Sequence, residues 1–142
     1  MLFPKKVKHR KWQTGRKNPK KIHYASRGLR IEQGTFGLKA MTSARITSNQ
    51  IEAARKVLTR EVGKFGKYYI RLFPDRPFTK KPPEVGMGKG KGDPQGFCIE
   101  VLPGRIMFEV GNIPEARARE ALRKAGTKLP VKVKIVSQED IY

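Results

Sequence analysis

The stretch Phe97-Cys98-Ile99-Glu100-Val101-Leu102-Pro103-Gly104-Arg105-Ile106-Met107-Phe108-Glu109-Val110 decides how the chain is read. Two runs rich in β-branched and aromatic residues flank Pro-Gly, a dipeptide that turns the backbone, so residues 97–102 and 105–110 are predicted to pair as a hairpin. Two strands alone are marginal in water, so further strands and helices must complete a core around them. Cys98 falls inside the apolar pattern and reads as a small core residue.

Outward from this segment, Lys67 to Phe73 alternates, with Tyr68, Ile70 and Leu72 on one face and Tyr69, Arg71 and Phe73 on the other, as a strand does. Leu29 to Met41 alternates less regularly and reads as a strand broken by a bend or bulge at Gly34. Between them lies the clearest helix, about Ser48 to Val62. Thr47 with Gln50 forms a capping box, Ile46 is placed to staple onto Ile51, and Gly63 ends the helix. Ile51, Ala54, Leu58 and Val62 share one face, and Arg45, Arg55, Lys56 and Arg60 lie on or beside the rest. Beyond the predicted hairpin, Pro114 opens a second helix whose stripe is Ala118, Ala121, Leu122 and Ala125 and whose end is Gly126. Val131 to Val136 is a final strand suited to a sheet edge. This order predicts an α+β domain over residues 29–142, a mostly antiparallel sheet with two helices packed on one face.

One segment cannot contribute to that core. Residues 76–96 form a protruding loop centred on Gly86-Met87-Gly88-Lys89-Gly90-Lys91-Gly92, approached through Pro74, Pro77, Pro82 and Pro83. The prolines restrict 78–85 to a sheet edge or the base of the loop. Ordering each backbone residue costs roughly 1–2 kcal/mol, most for glycine, so contacts outside the domain are needed to hold this loop still. A polyanion fits, since glycine backbone approaches phosphates closely and the lysines reach them. The alternative is a plain surface linker.

The chain has 142 residues, one domain's worth, with 32 Lys plus Arg against 12 Asp plus Glu, a net charge of +20 and a pI near 10.5. Nucleic acid is the partner such a balance favours over a membrane, because no apolar run approaches the roughly 18 residues of a span. Positive charge is densest in residues 1–28, where Lys5, Lys6, Lys8, Arg10, Lys11, Arg16, Lys17, Lys20, Lys21 and Arg27 are interleaved with Trp12 and Tyr24. Repulsion at this density predicts a disordered RNA-binding arm in the free protein. Bound to RNA, its cations neutralise phosphates while Trp12 and Tyr24 stack on bases or pack on sugars; the alternative is that Trp12 docks back on the domain. The start lacks the apolar segment of a secretory signal.

Enzymatic readings fare poorly. The glycine loop lacks the Ser or Thr after lysine and the following helix of a phosphate-binding loop, and the third glycine of the dinucleotide pattern falls on Lys91. One cysteine and two isolated histidines, His9 and His23, provide neither an activated nucleophile nor a metal set, and no cofactor is expected.

Six strings together resemble a known family: Gly-Thr-Phe-Gly-Leu-Lys-Ala at 34–40, Gln-Ile-Glu-Ala-Ala-Arg at 50–55, Tyr-Ile-Arg-Leu-Phe-Pro-Asp-Arg-Pro at 69–77, Met-Gly-Lys-Gly-Lys-Gly at 87–92, Pro-Gly-Arg-Ile-Met-Phe-Glu-Val at 103–110 and Lys-Leu-Pro-Val-Lys at 128–132. The chain resembles the bacterial large-subunit ribosomal protein numbered sixteen. The resemblance implies a non-catalytic component that binds 23S rRNA near the 5S rRNA region and neighbouring large-subunit proteins, helps position A-site tRNA, and does not form a homo-oligomer. It implies a cytoplasmic bacterial ribosome, or an organellar one. Carried over, Lys5, Lys6, Lys8, Arg10, Lys11, Trp12, Arg16, Lys17 and Arg27 of the arm, with Arg45, Arg55, Lys56 and Arg60, face rRNA. Lys80, Lys81, Met87, Gly88, Lys89, Gly90 and Lys91 face tRNA. Many members carry an arginine, hydroxylated in some bacteria, where this chain has Gly86, so the loop lacks one cation and that modification has no acceptor here. Asn18 to Leu29 and Gln33 also depart from the common sequences. The rival reading is a free RNA chaperone or regulatory RNA binder.

Overall fold

The computed structural model describes residues 1–15 and 17–141. In chain order the elements are β1 (Phe36–Ala40), β2 (Ala44–Thr47), α1 (Ser48–Val62), β3 (Lys67–Ile70), β4 (Arg76–Lys80), β5 (Asp93–Val101), β6 (Ile106–Gly111), α2 (Glu115–Gly126), β7 (Val133–Ser137) and a closing 3-10 turn, Glu139–Ile141. The α+β class is as predicted, and every strand pair is antiparallel.

The strands form two sheets, β3-β6-β1-β7 and β2-β5-β4. The predicted 97–110 hairpin is therefore not formed. β5 pairs with β2 and β4, and β6 pairs with β3 and β1, so Pro103-Gly104 is a corner between sheets. Both edges of each strand are taken by other partners. Every residue of β6 is buried, which a strand achieves between two neighbours under cover on both faces. The corner itself is held by Gly104 N–H donating to the Ala40 carbonyl at 2.7 Å and Ala40 N–H to the Arg105 carbonyl at 2.8 Å.

The α1 prediction matches residue for residue: Thr47 Oγ1 accepts from Gln50 N–H at 3.4 Å, Gln50 Oε1 accepts from Thr47 N–H at 3.0 Å, and Ile51, Ala54, Leu58 and Val62 are the buried face. α2 buries Ala118, Ala121, Leu122 and Ala125 and packs on α1 and across β1, β6 and β7. Its small side chains permit that approach, and a Cβ on Gly126 would meet Val133 at 2.7 Å. The main core lies between the helices and the four-stranded sheet, where Leu38, Leu58, Phe108 and Leu122 are inaccessible; each such side chain contributes about 1.5–3 kcal/mol by burial.

On the other face of this sheet Ile31, Ile106 and Val136 form a second, smaller cluster. It explains why the strand predicted from Leu29 begins only at Phe36. Residues 29–34 fold back across the sheet instead of extending beside it, with Ile31 over Gly37, where a Cβ would approach the Ile31 side chain to 3.0 Å.

Candidate nucleic-acid interface

Glu109 anchors the place where the arm leaves the body. It lies on the central strand β6, fully buried, a position a carboxylate occupies only when its charge is answered. Its Oε2 accepts from Gln33 N–H at 2.8 Å and Gly34 N–H at 2.9 Å, and its Oε1 from Glu32 N–H at 3.1 Å and Arg71 Nη1 at 2.7 Å. Burial pushes its carboxyl pKa up, but the three backbone N–H groups and Arg71 outweigh that and hold it below the ordinary carboxylate range. Arg71 Nη1 also donates to the Arg30 carbonyl. The bend at Gly34 is thus a backbone wrapped around one carboxylate.

Upstream, the described part of the 1–28 arm contains neither helix nor strand and runs along the body. Leu2 packs on the main core, Ala25 N–H donates to the Pro103 carbonyl at 3.0 Å, and Gly28 accepts from Ile106 N–H at 2.8 Å. Trp12 sits beside Arg76, whose guanidinium carbon is 5.5 Å from the ring centroid, so the docked alternative is the arrangement seen, with 43% of the residue still exposed. Lys17 Nζ reaches Glu100 on β5 at 2.8 Å, where Arg45 Nε at 3.3 Å and Arg76 Nη1 at 2.8 Å converge as well. The Lys17 hydrogen bond, against the opposing effect of burial, leads in lowering the Glu100 pKa. Three cations share one carboxylate, so this face of the three-stranded sheet keeps a positive surplus.

The glycine loop is the tip of the β4–β5 ribbon, whose outer strand β4 is a sheet edge as its prolines require. Gly92 is needed inside, since a Cβ there would meet the Lys80 backbone at 2.9 Å; around Gly86, Gly88 and Gly90 there is nothing within 4 Å. Gly88 and Gly90 have φ of 94° and 101°, and Lys89 between them has φ 61°, an uncommon conformation for a side-chain-bearing residue. Met87 is fully exposed. Lys81 Nζ donates to the Gly88 carbonyl and Lys91 Nζ to the Trp12 carbonyl, while Lys11 Nζ donates to Lys91 O at 3.4 Å. Arm and loop, far apart in sequence, meet here.

The structure thus brings Lys11, Trp12 and Lys91 together where arm meets loop, and Lys17 and Arg45 together at Glu100, and leaves Lys5, Lys6, Lys8, Arg10, Arg27, Lys80 and Lys89 solvent-exposed. Arg16 lies outside the described residues. On α1, Lys56 and Arg60 are exposed, whereas Arg55 is half-buried and held by Glu52, with Nε at 2.9 Å from Oε2. Sequence reasoning missed Arg71, Arg76, Glu100 and Glu109 as organisers. The available signal was an acid inside each of two apolar strand runs, Phe-Cys-Ile-Glu-Val and Met-Phe-Glu-Val, since a carboxylate there requires cations around it.

Among the described residues no cluster of three or more His, Cys, Asp or Glu is placed to hold a metal, and no helix is long and apolar enough to cross a membrane. Cys98 is buried and its thiol pKa is raised by that burial, the opposite of an activated nucleophile. The surface offers cationic side chains, glycine backbone and an aromatic ring, a set that suits RNA backbone and unstacked bases. A family model described as ribosomal protein L16p/L10e matches residues 4–136, nearly the whole chain and all seven strands but the end of β7. The chain belongs to the L16p/L10e family of ribosomal proteins and is a protein of the large ribosomal subunit.

Proposed function

We propose that this protein binds 23S rRNA through its arm and the exposed cations of α1, beside the 5S rRNA region and neighbouring large-subunit proteins, and helps position A-site tRNA through the tip of the glycine loop. Its contribution is placement, and the chemistry of peptide transfer remains with RNA. The observation that supports this most is the meeting of arm and loop at Lys11, Trp12 and Lys91, which makes one continuous cationic track from two segments that contribute little to the core. Gly86, Gly88 and Gly90 have open space around them; positive φ favours glycine at Gly88 and Gly90, and the side-chain-free backbone so exposed suits close approach to a polynucleotide.

Filter binding of the full chain to a 23S rRNA fragment over a range of salt tests the reading. Neutralising about six phosphates makes log affinity fall against log salt with a slope near −4 to −5. A slope near zero refutes it. Sedimentation of cell extract provides the assembly test: nearly all of the protein travels with large subunits and whole ribosomes, whereas a free RNA chaperone would remain at the top of the gradient.

A further inference from the structure

Arg105 follows the corner at Gly104 and reaches into an open cleft beneath the arm, lined also by Trp12, Tyr69, Arg71, Phe73, Asp75 and Arg76. Two of its three guanidinium groups are already answered, Arg71 by Glu109 at 2.7 Å and Arg76 by Glu100 at 2.8 Å. Arg105 is not. Its Nη2 donates to the Arg71 carbonyl at 3.1 Å, while its Nε is shielded from solvent and has no acceptor. No carboxylate pairs with it among the described residues, and the neighbouring Arg71 charge repels it, with Asp75 acting only from a distance. A partly buried cation left without a counter-charge is costly, and an anion arriving from outside removes that cost.

The cleft also holds a surface for a base. Trp12 has Arg76 at 5.5 Å from its ring centroid, and 43% of the residue is exposed. An acidic protein segment would answer Arg105 but leave the ring unused; a nucleotide uses both. We propose that this cleft takes one unstacked nucleotide of RNA, its phosphate on the Arg105 guanidinium and its base against the Trp12 indole. The inference rests on the RNA-binding reading above and goes beyond it, because it assigns the cleft and Arg105 a ligand of their own.

Trp12 is the sole tryptophan, so its fluorescence reports directly from the cleft. The full-length protein is titrated with a mixed-sequence RNA hexamer, an abasic sugar-phosphate oligomer of the same length, and polyglutamate, with anisotropy of labelled ligand followed in parallel. The hexamer quenches Trp12 saturably, the abasic oligomer binds with little quenching, and polyglutamate competes poorly. Arg105→Gln weakens the quenching titration about tenfold or more, and Arg105→Lys restores part of the loss, as expected for a charge-assisted contact. In the absence of RNA, Arg105→Gln melts at or above the wild-type temperature, since it removes an unanswered charge. Should that variant fail to fold, Trp12→Phe replaces it and weakens hexamer anisotropy several-fold through poorer stacking. Hexamer binding with no quenching, or with quenching indifferent to Arg105→Gln, overturns the cleft assignment and leaves RNA binding standing. Polyglutamate matching the hexamer in affinity overturns it in favour of an acidic protein segment. No RNA binding by anisotropy overturns both readings.

Discussion

Replacing Glu109 by Gln tests whether one buried carboxylate holds the root of the arm. The side chain is isosteric, yet it offers a single acceptor oxygen where the native group offers two. If that oxygen takes the place of Oε2, it keeps the bonds from Gln33 and Gly34, and the new amide then points its hydrogens at Glu32 N–H and Arg71 Nη1, now 3.1 and 2.7 Å from an acceptor. Donor meets donor at both. Losing one charge-assisted bond and stranding these donors costs about 3–5 kcal/mol, the range for breaking a buried pair from one side. For a chain of this size that lowers the melting temperature by roughly 10–15 °C.

The pH dependence adds a second readout. Glu109 in the folded protein titrates below its unfolded value, so the unfolded chain binds the proton more readily. Its stabilisation is complete above the unfolded carboxylate pKa of about 4.3 and is lost as pH falls through the lower, folded value. Urea melts at pH 7 and at steps below pH 5 therefore show a wide gap between wild type and Glu109→Gln at neutrality that narrows in acid. A cost below about 1 kcal/mol at pH 7, or a gap unchanged in acid, would refute the reasoning.

Two further outcomes follow from the same geometry. Lys89→Ala with Lys91→Ala leaves the melting temperature of the free protein within a degree or two, because both side chains lie outside the core; it reduces the salt slope of RNA binding by about 1.5, measured by filter binding. Gly34→Ala places a Cβ 2.5 Å from the Val110 carbonyl oxygen, which should destabilise the domain by about 1–3 kcal/mol in a urea melt, whereas Gly86→Ala, with nothing within 4 Å, should change stability by less than about 0.5 kcal/mol.

Local rules carried much of the fold. Thr47 with Gln50 and the 3.6-residue stripe of Ile51, Ala54, Leu58 and Val62 specify α1 through contacts within a few residues, and they were legible for that reason. The small-residue face of α2 and the edge positions of β4 and β7 were legible too, as was the cationic, glycine-rich character of the candidate interface.

Strand pairing was not legible, because a strand carries no address for its partner. Phe97–Val101 and Ile106–Val110 look like a hairpin across Pro-Gly, yet free energy is lower when each lies between two other strands, a comparison involving residues about 20 to 74 positions away. The same holds for the interface. Composition alone marked the arm and the glycine loop as ligands for a polyanion, while the tertiary fold decided that Lys11 and Trp12 meet Lys91, that Glu100 gathers Lys17, Arg45 and Arg76, and that Arg105 is left with a charge unanswered. Charge is a property of the residues themselves; which charges are paired, and which remain for a ligand, depends on distances that only the folded chain sets.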